Sequence, residues 1–184
     1  AHSDAAWDWA LAEAGTPAGD QALVELGVAT QKFARLRYDY RHEREPQLMA
    51  ALGAAKRLGD RVREGELTWY LGAVLSSLGD IAKAMEYYQR AIEILSEADQ
   101  HYSAAVVQFD LAEAYHNLGG QENFTKALTM WQESLVTFRR FDASNHLIAL
   151  CLNNIGVAYQ QLGDPSMAIN FYEQAGAIAE ENND

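Results

Sequence analysis

Apolar positions along this chain recur in steps of three and four over nearly its whole length, the rhythm of helices with one buried face. β-Branched runs are short and there are only 3 prolines, so the pattern predicts an all-α fold. A first helix is expected over 3–14, capped by Ser3 or Asp4, with Trp7, Ala10, Leu11 and Ala14 on one face. A long helix follows over 20–44, capped by Asp20, with Leu23, Leu26, Thr30, Phe33 and Tyr40 inward. Pro46 opens a helix over 46–58. Three helix pairs complete the chain: 62–78 with 81–97, 100–118 with 124–140, and 144–162 with 165–181. That gives about nine helices. The stretch Gly15-Thr16-Pro17-Ala18-Gly19 breaks the first from the second. The turns Gly79-Asp80 and Gly163-Asp164-Pro165 work by local chemistry. Glycine takes the left-handed conformation that ends a helix, aspartate caps the next one, and proline fits its first turn.

The three pairs repeat one another. Leu71-Gly72, Leu111-Ala112 and Ile155-Gly156 each stand eight residues before Gly79, Gly119 and Gly163. The first copy continues with Ala84, Tyr88 and Ala91. The second has Tyr115, then Ala127, Trp131 and Ser134, and the third has Tyr159, then Ala168, Tyr172 and Ala175. The small residues are expected to let two helices approach closely, with the aromatic filling the space beside them. A unit of this size cannot bury its apolar face alone and must stack on its neighbours. The expected organisation is one domain over 1–184: an N-terminal helix and linker (1–19), a degenerate first pair (20–59, with Leu26-Gly27 and Ala51-x3-Ala55 standing in for the pattern), and repeats at 62–98, 100–141 and 144–182.

The repeated pattern resembles the tetratricopeptide repeat, W-x2-L-G-x2-Y followed by A-x3-F. Two departures stand out. The step from Gly72 to Ala112 is 40 residues and from Ala112 to Gly156 is 44, against a usual 34. The proline that ends the second helix is missing, with Ser96 and Glu180 near its place, so the extra length is expected as added helix, plus three residues in the turn between Gly119 and Ala127. Long-period repeats of this kind are similar to those of kinesin light chains and the Pins/LGN scaffolds. The resemblance implies a right-handed superhelical array of antiparallel helix pairs. It also implies a non-catalytic protein–protein interaction module that binds a peptide or protein segment on its concave face. The first helices would line that groove, with Trp69, Ala73, Ser76 and Ser77 in one repeat, Phe109, Glu113, His116 and Asn117 in the next, and Asn153, Asn154, Val157, Gln160 and Gln161 in the last; Trp69 and Phe109 read equally as groove anchors or as packing residues. Asn and Gln offer paired donors and acceptors to an extended backbone. The basic clamp that chaperone adaptors use is absent from these positions, and Glu113 and Asp110 add negative charge, so a neutral to basic segment is favoured. Alternatives are a homodimer formed through the last helix (Ile169, Tyr172, Ala175, Ile178) or the sensor arm of a bacterial signalling regulator.

Charge sharpens this picture. The net charge is −12, which argues against a nucleic-acid partner. Residues 1–31 carry five acids and no Lys or Arg, 32–63 nine bases and four acids, and 64–184 five bases and seventeen acids. The basic band Lys32, Arg35, Arg37, Arg41 and Arg44 reads as a solvated helix face, with Arg35 and Asp39 paired. No phosphate loop, HExxH or Cys/His cluster is present, so no cofactor and no metal are expected. His116 and Glu113 share a helix face but lack the second half of a metal site. His101 and His146 read as solvated. The single cysteine, Cys151, reads as a buried apolar residue of a reducing, cytoplasmic compartment. No apolar run is long enough to span a membrane. The start, Ala1-His2-Ser3-Asp4, lacks Met, and the chain reads as a module of a longer protein.

Overall fold

The computed structural model describes residues 2–30 and 43–181, with no side-chain detail for His2, Ser3 and Glu181. Among the described residues the structure is nine helices: α1 (His2–Ala12), α2 (Pro17–Ala29), α3 (Glu45–Leu58), α4 (Arg61–Ser77), α5 (Ile81–Glu97), α6 (His101–Leu118), α7 (Gln121–Arg140), α8 (Asn145–Leu162) and α9 (Pro165–Glu181). They form two compact units that divide at Gln100/His101. In unit 1 each helix packs on the next, and α2 also meets α4. In unit 2, α6 packs on α7, α7 on α8, and α8 on α9.

Local chemistry sets most of the boundaries. Gly59 (φ 69°), Gly79 (φ 84°) and Gly163 (φ 86°) take the left-handed conformation after α3, α4 and α8. Asp60 and Asp80 then cap α4 and α5, accepting from the backbone N–H of Arg63 at 3.0 Å and of Lys83 at 3.3 Å. Asp164 accepts from Met167 N–H at 3.0 Å, just ahead of Pro165. Helices of 17–20 residues fill the long repeat period, and α7, at 20 residues, is the longest.

Three boundaries differ from the sequence expectation. The second helix starts at Pro17, because Thr16 Oγ1 accepts from Gly19 N–H at 3.1 Å and caps it. Asp20 therefore lies inside the first turn, where its carboxylate is buried and takes Arg57 from α3 at 2.6 and 2.8 Å and Gly15 N–H at 2.9 Å. In the α6–α7 turn, Gly119 (φ 71°) and Gly120 (φ 88°) both take positive φ, so α7 restarts at once and the three extra residues are helical. Asn123 Nδ2 donates to Gly119 O at 2.8 Å and seals that turn. In α1, already running at His2, Trp7 and Ala10 are buried as expected, but Leu11 is 44% exposed and Ala14 lies beyond the helix.

The expected 20–44 helix ends at Ala29 in the described part, and Phe33, Tyr40, the Arg35–Asp39 pair, Lys32, Arg35, Arg37 and Arg41 lie outside the described residues. Arg44 overturns its place on a solvated face. It is fully buried just ahead of α3, donating to Thr30 Oγ1 at 2.6 Å and Gly27 O at 2.9 Å.

Each unit has its own core. In unit 1, Trp7, Leu23, Leu48, Ala51, Leu67 and Leu71 interlock across α1–α4. In unit 2, Phe109, Trp131, Phe138, Cys151, Leu152 and Ile155 do so across α6–α8. The repeat positions sit at the helix-pair joints. Leu71, Gly72, Ala84, Tyr88 and Ala91 are buried, as are Leu111, Ala112, Ala127, Trp131, Ile155, Gly156 and Ala168. Tyr115, Tyr159, Tyr172 and Ala175 are half-buried. The Cys151 thiol donates to Trp131 O at 3.2 Å, and burial pushes its pKa up to about 12.

Candidate functional site

The residues expected to line a binding groove stand on the first helix of each pair: α4, α6 and α8. On α4, Trp69, Ala73 and Ser76 are half-buried and Ser77 is exposed. Trp69 lies 5.1 Å from the Tyr70 ring, and Ser77 Oγ donates to Ala73 O of its own helix at 2.9 Å.

On α6 the structure separates what the sequence grouped. Phe109 is 6% exposed and belongs to the core, its ring 6.3 Å from both Trp131 and Phe138. It is withdrawn from the groove because α6 is apolar on more than one side, and α7 supplies a wall of rings that claims this side. His116 is half-buried and leans the same way, 5.4 Å from Phe124 and 5.7 Å from Trp131, with Nε2 buried and without a hydrogen-bond partner. Ring packing explains His116 better than ligand binding. Glu113 and Asn117 are exposed.

On α8, Asn153, Gln160 and Gln161 are exposed, and Asn154 and Val157 are half-buried. Their spacing of three and four residues places Asn153, Val157 and Gln160 on one face. The amides divide into two groups. Gln160 Oε1 accepts from Tyr172 OH at 3.1 Å, and Gln132 Nε2 donates to Tyr159 OH at 3.2 Å, both tying helices together within unit 2. Asn117, Asn153 and Asn154 make no such bond, and their donors and acceptors stay available. This division depends on which tyrosine the fold brings opposite, which residue type and spacing do not reveal.

Of the last-helix residues expected to offer a pairing face, Tyr172 closes on Gly156, while Ala175 and Ile178 pack on the core of unit 2. Only Ile169 of the four, at 57% exposure, points away. Three of the four are thus partly covered within the unit. Among the described residues no group of three or more His, Cys, Asp or Glu is placed to hold a metal ion, and no helix is long and apolar enough to cross a membrane.

Comparison with known proteins places this arrangement. No curated protein matches the chain in sequence. Among solved structures, the fold is similar to that of a Signal Transduction ATPase with Numerous Domains from Pyrococcus horikoshii that has a tetratricopeptide repeat sensor. The TM-score is 0.74 at 18% identity, over 90% of this chain and 25% of that one. It is also similar to a Rap protein complexed with Competence and Sporulation Factor, with a TM-score of 0.68 at 20% identity over 92% of this chain and 45% of that one. A third likeness is to the nearly identical repeats of a kinesin light chain from Podosopora anserina, with a TM-score of 0.54 at 16% identity over 98% and 95%. The chain thus spans a quarter to under half of the first two proteins. A sequence profile of the tetratricopeptide repeat matches residues 63–122 and 117–181, well over half of the chain, and the protein belongs to the tetratricopeptide repeat family.

Proposed function

We propose that this chain is a non-catalytic protein-interaction module that binds a peptide or protein segment on the exposed side of the first helices of unit 2, α6 and α8. The observation that carries the reading is the set of uncommitted amides: Asn117 on α6 and Asn153 and Asn154 on α8 make no hydrogen bond, while neighbouring amides in the same unit are used to join helices. Free amide pairs at helical spacing suit an extended backbone, which offers alternating C=O and N–H groups. Exposed Glu113 beside them, in a chain of net charge −12, favours a neutral to basic segment. Phe109 and His116 are not part of the contact set in this reading. The Rap protein complexed with Competence and Sporulation Factor supports recognition of a partner by this fold. A second reading, the sensor arm of a larger signalling protein, draws on the repeat sensor of the Pyrococcus horikoshii protein.

The test is a peptide array of neutral, basic and acidic segments, probed with wild type and Asn153→Ala/Asn154→Ala at matched thermal stability. Loss of roughly tenfold in affinity for neutral and basic peptides is expected for the double variant, the size of one or two hydrogen bonds. Undiminished binding, or a preference for acidic peptides, would refute the site or its charge preference respectively.

A further inference from the structure

On the second helices of unit 1, α3 and α5 enclose an open slot of about 300 Å³ with α4 as its floor. Met49 and Leu52 of α3 and Tyr87 and Ile94 of α5 form apolar walls, and a 3.9 Å contact from Tyr87 OH to Met49 Sδ spans them. On the floor stands Glu64, only 7% exposed. Its Oε2 accepts from Arg61 Nη1 at 2.7 Å, and its Oε1 accepts no hydrogen bond. Arg61 is already divided, because its Nη2 donates to Glu97. The two cations on the slot's lining, Lys56 and Arg90, do not pair with Glu64, and Arg90 is turned to Glu93 at 2.9 Å. The Oε1 oxygen is thus left open to a donor entering the slot, and a carboxylate at the base of apolar walls suits a cation.

We propose that this slot is a second binding site and that it takes one lysine or arginine side chain of a partner protein. The aliphatic stem lies along Leu52, Met49 and Tyr87, and the cationic head meets Glu64 Oε1. Long basic side chains bury their stems while the head finds a partner, and a charge-assisted hydrogen bond fixes the register. The other charges at the slot balance, with Lys56 and Arg90 set against Glu86 and the Glu93 that holds Arg90, so the slot takes a single basic side chain rather than a run of them.

The experiment is fluorescence anisotropy with dye-labelled acetyl-Glu-Leu-Lys-Leu-Glu-amide and its norleucine counterpart. The lysine peptide is expected to bind roughly tenfold more tightly than the norleucine one, and Glu64→Gln, which keeps the shape and removes the charge, is expected to abolish the difference. Met49→Trp, at a position 49% exposed, fills the slot and is expected to weaken the lysine peptide with an unchanged melting temperature, which decides the matter should Glu64→Gln unfold. Equal affinity for the two peptides, no saturation at millimolar concentration, or undiminished binding by Met49→Trp overturns the assignment. Asn153→Ala/Asn154→Ala should leave this binding unchanged, so it stands or falls separately from the first-helix reading.

Discussion

The α4/α5 and α6/α7 hairpins carry the same repeat pattern and close in different ways. In α4/α5 the small position is Gly72 and the aromatic is Tyr88. A Cβ at Gly72 would lie 2.7 Å from the Tyr88 ring and 3.2 Å from Ala84 O, so the ring edge rests directly on the helix backbone. The α8/α9 hairpin repeats this arrangement, for a Cβ at Gly156 would lie 2.6 Å from the Tyr172 ring. In α6/α7, Ala112 replaces the glycine and Trp131 the tyrosine. Trp131 Nε1 donates to Phe109 O at 3.3 Å, and the ring joins a continuous ladder of Phe124, His116, Trp131, Phe109, Phe138, Tyr102 and Phe141, with neighbouring centroids 5.4–6.3 Å apart. One hairpin thus depends on close backbone approach, the other on a row of tilted and edge-on rings, each pair adding a little beyond its buried area. The repeat constrains a volume shared by two positions rather than the identity of either.

The largest expected effect separates the two designs. Trp131→Ala removes a fully buried ring from the middle of the ladder and is expected to cost about 3–5 kcal/mol in urea unfolding. Tyr88→Ala should cost roughly 1 kcal/mol less, because its ring closes on the Gly72 backbone while Trp131 sits inside a chain of rings. Equal losses would show that the ladder adds nothing as a unit. Next in size, Gly72→Ala should lose about 1–3 kcal/mol, since the buried Tyr88 ring must shift. Ala112→Gly should lose only about 1 kcal/mol, through helix propensity. A neutral Gly72→Ala would mean that the ring yields freely and the close approach is not a constraint.

The smallest effect concerns acid. Unit 1 carries an ion pair between covered Asp20 and half-exposed Arg57 where unit 2 relies on rings: the Arg57 guanidinium and the Gly15 N–H hold Asp20 down to a pKa of about 2, against an ordinary value of 3.8. A carboxyl depressed in the folded state contributes stability that is present above its unfolded pKa and is lost as pH falls through its folded one. Wild type should therefore weaken between about pH 4 and pH 2 by more than Asp20→Asn, which should be less stable at neutral pH and flatter in acid. Urea unfolding across that range measures both, and identical acid profiles would remove the ion pair from the account.

The helix pairs, their turns and the family were legible in the sequence, because caps act over three residues and amphipathic stripes over a few turns. Asp80 and Asp164 bond the N–H groups that their positions predict. The candidate site was legible only in outline. α5 and α7 each bury one stripe, so their inner residues follow from periodicity alone. α4 is apolar on several sides and meets α2, α3 and α5, while α6 carries apolar residues on more than one face. Sequence can choose such first helices as a binding surface but cannot divide their side chains between core and surface.

What the sequence determined by itself is therefore everything carried by short-range bonding and repetition: an all-α chain, its three good repeats, and the small residue opposite a large ring. Only the tertiary structure decided that Phe109 belongs to a ladder of rings, that Arg44 is buried against Gly27 and Thr30, and that Gln160 is tied to Tyr172 while Asn153 and Asn154 stay free. The reason is physical. A cap or a stripe is set by neighbours along the chain. The fate of one ring, guanidinium or amide depends on which group another helix brings within hydrogen-bond or van der Waals distance of it.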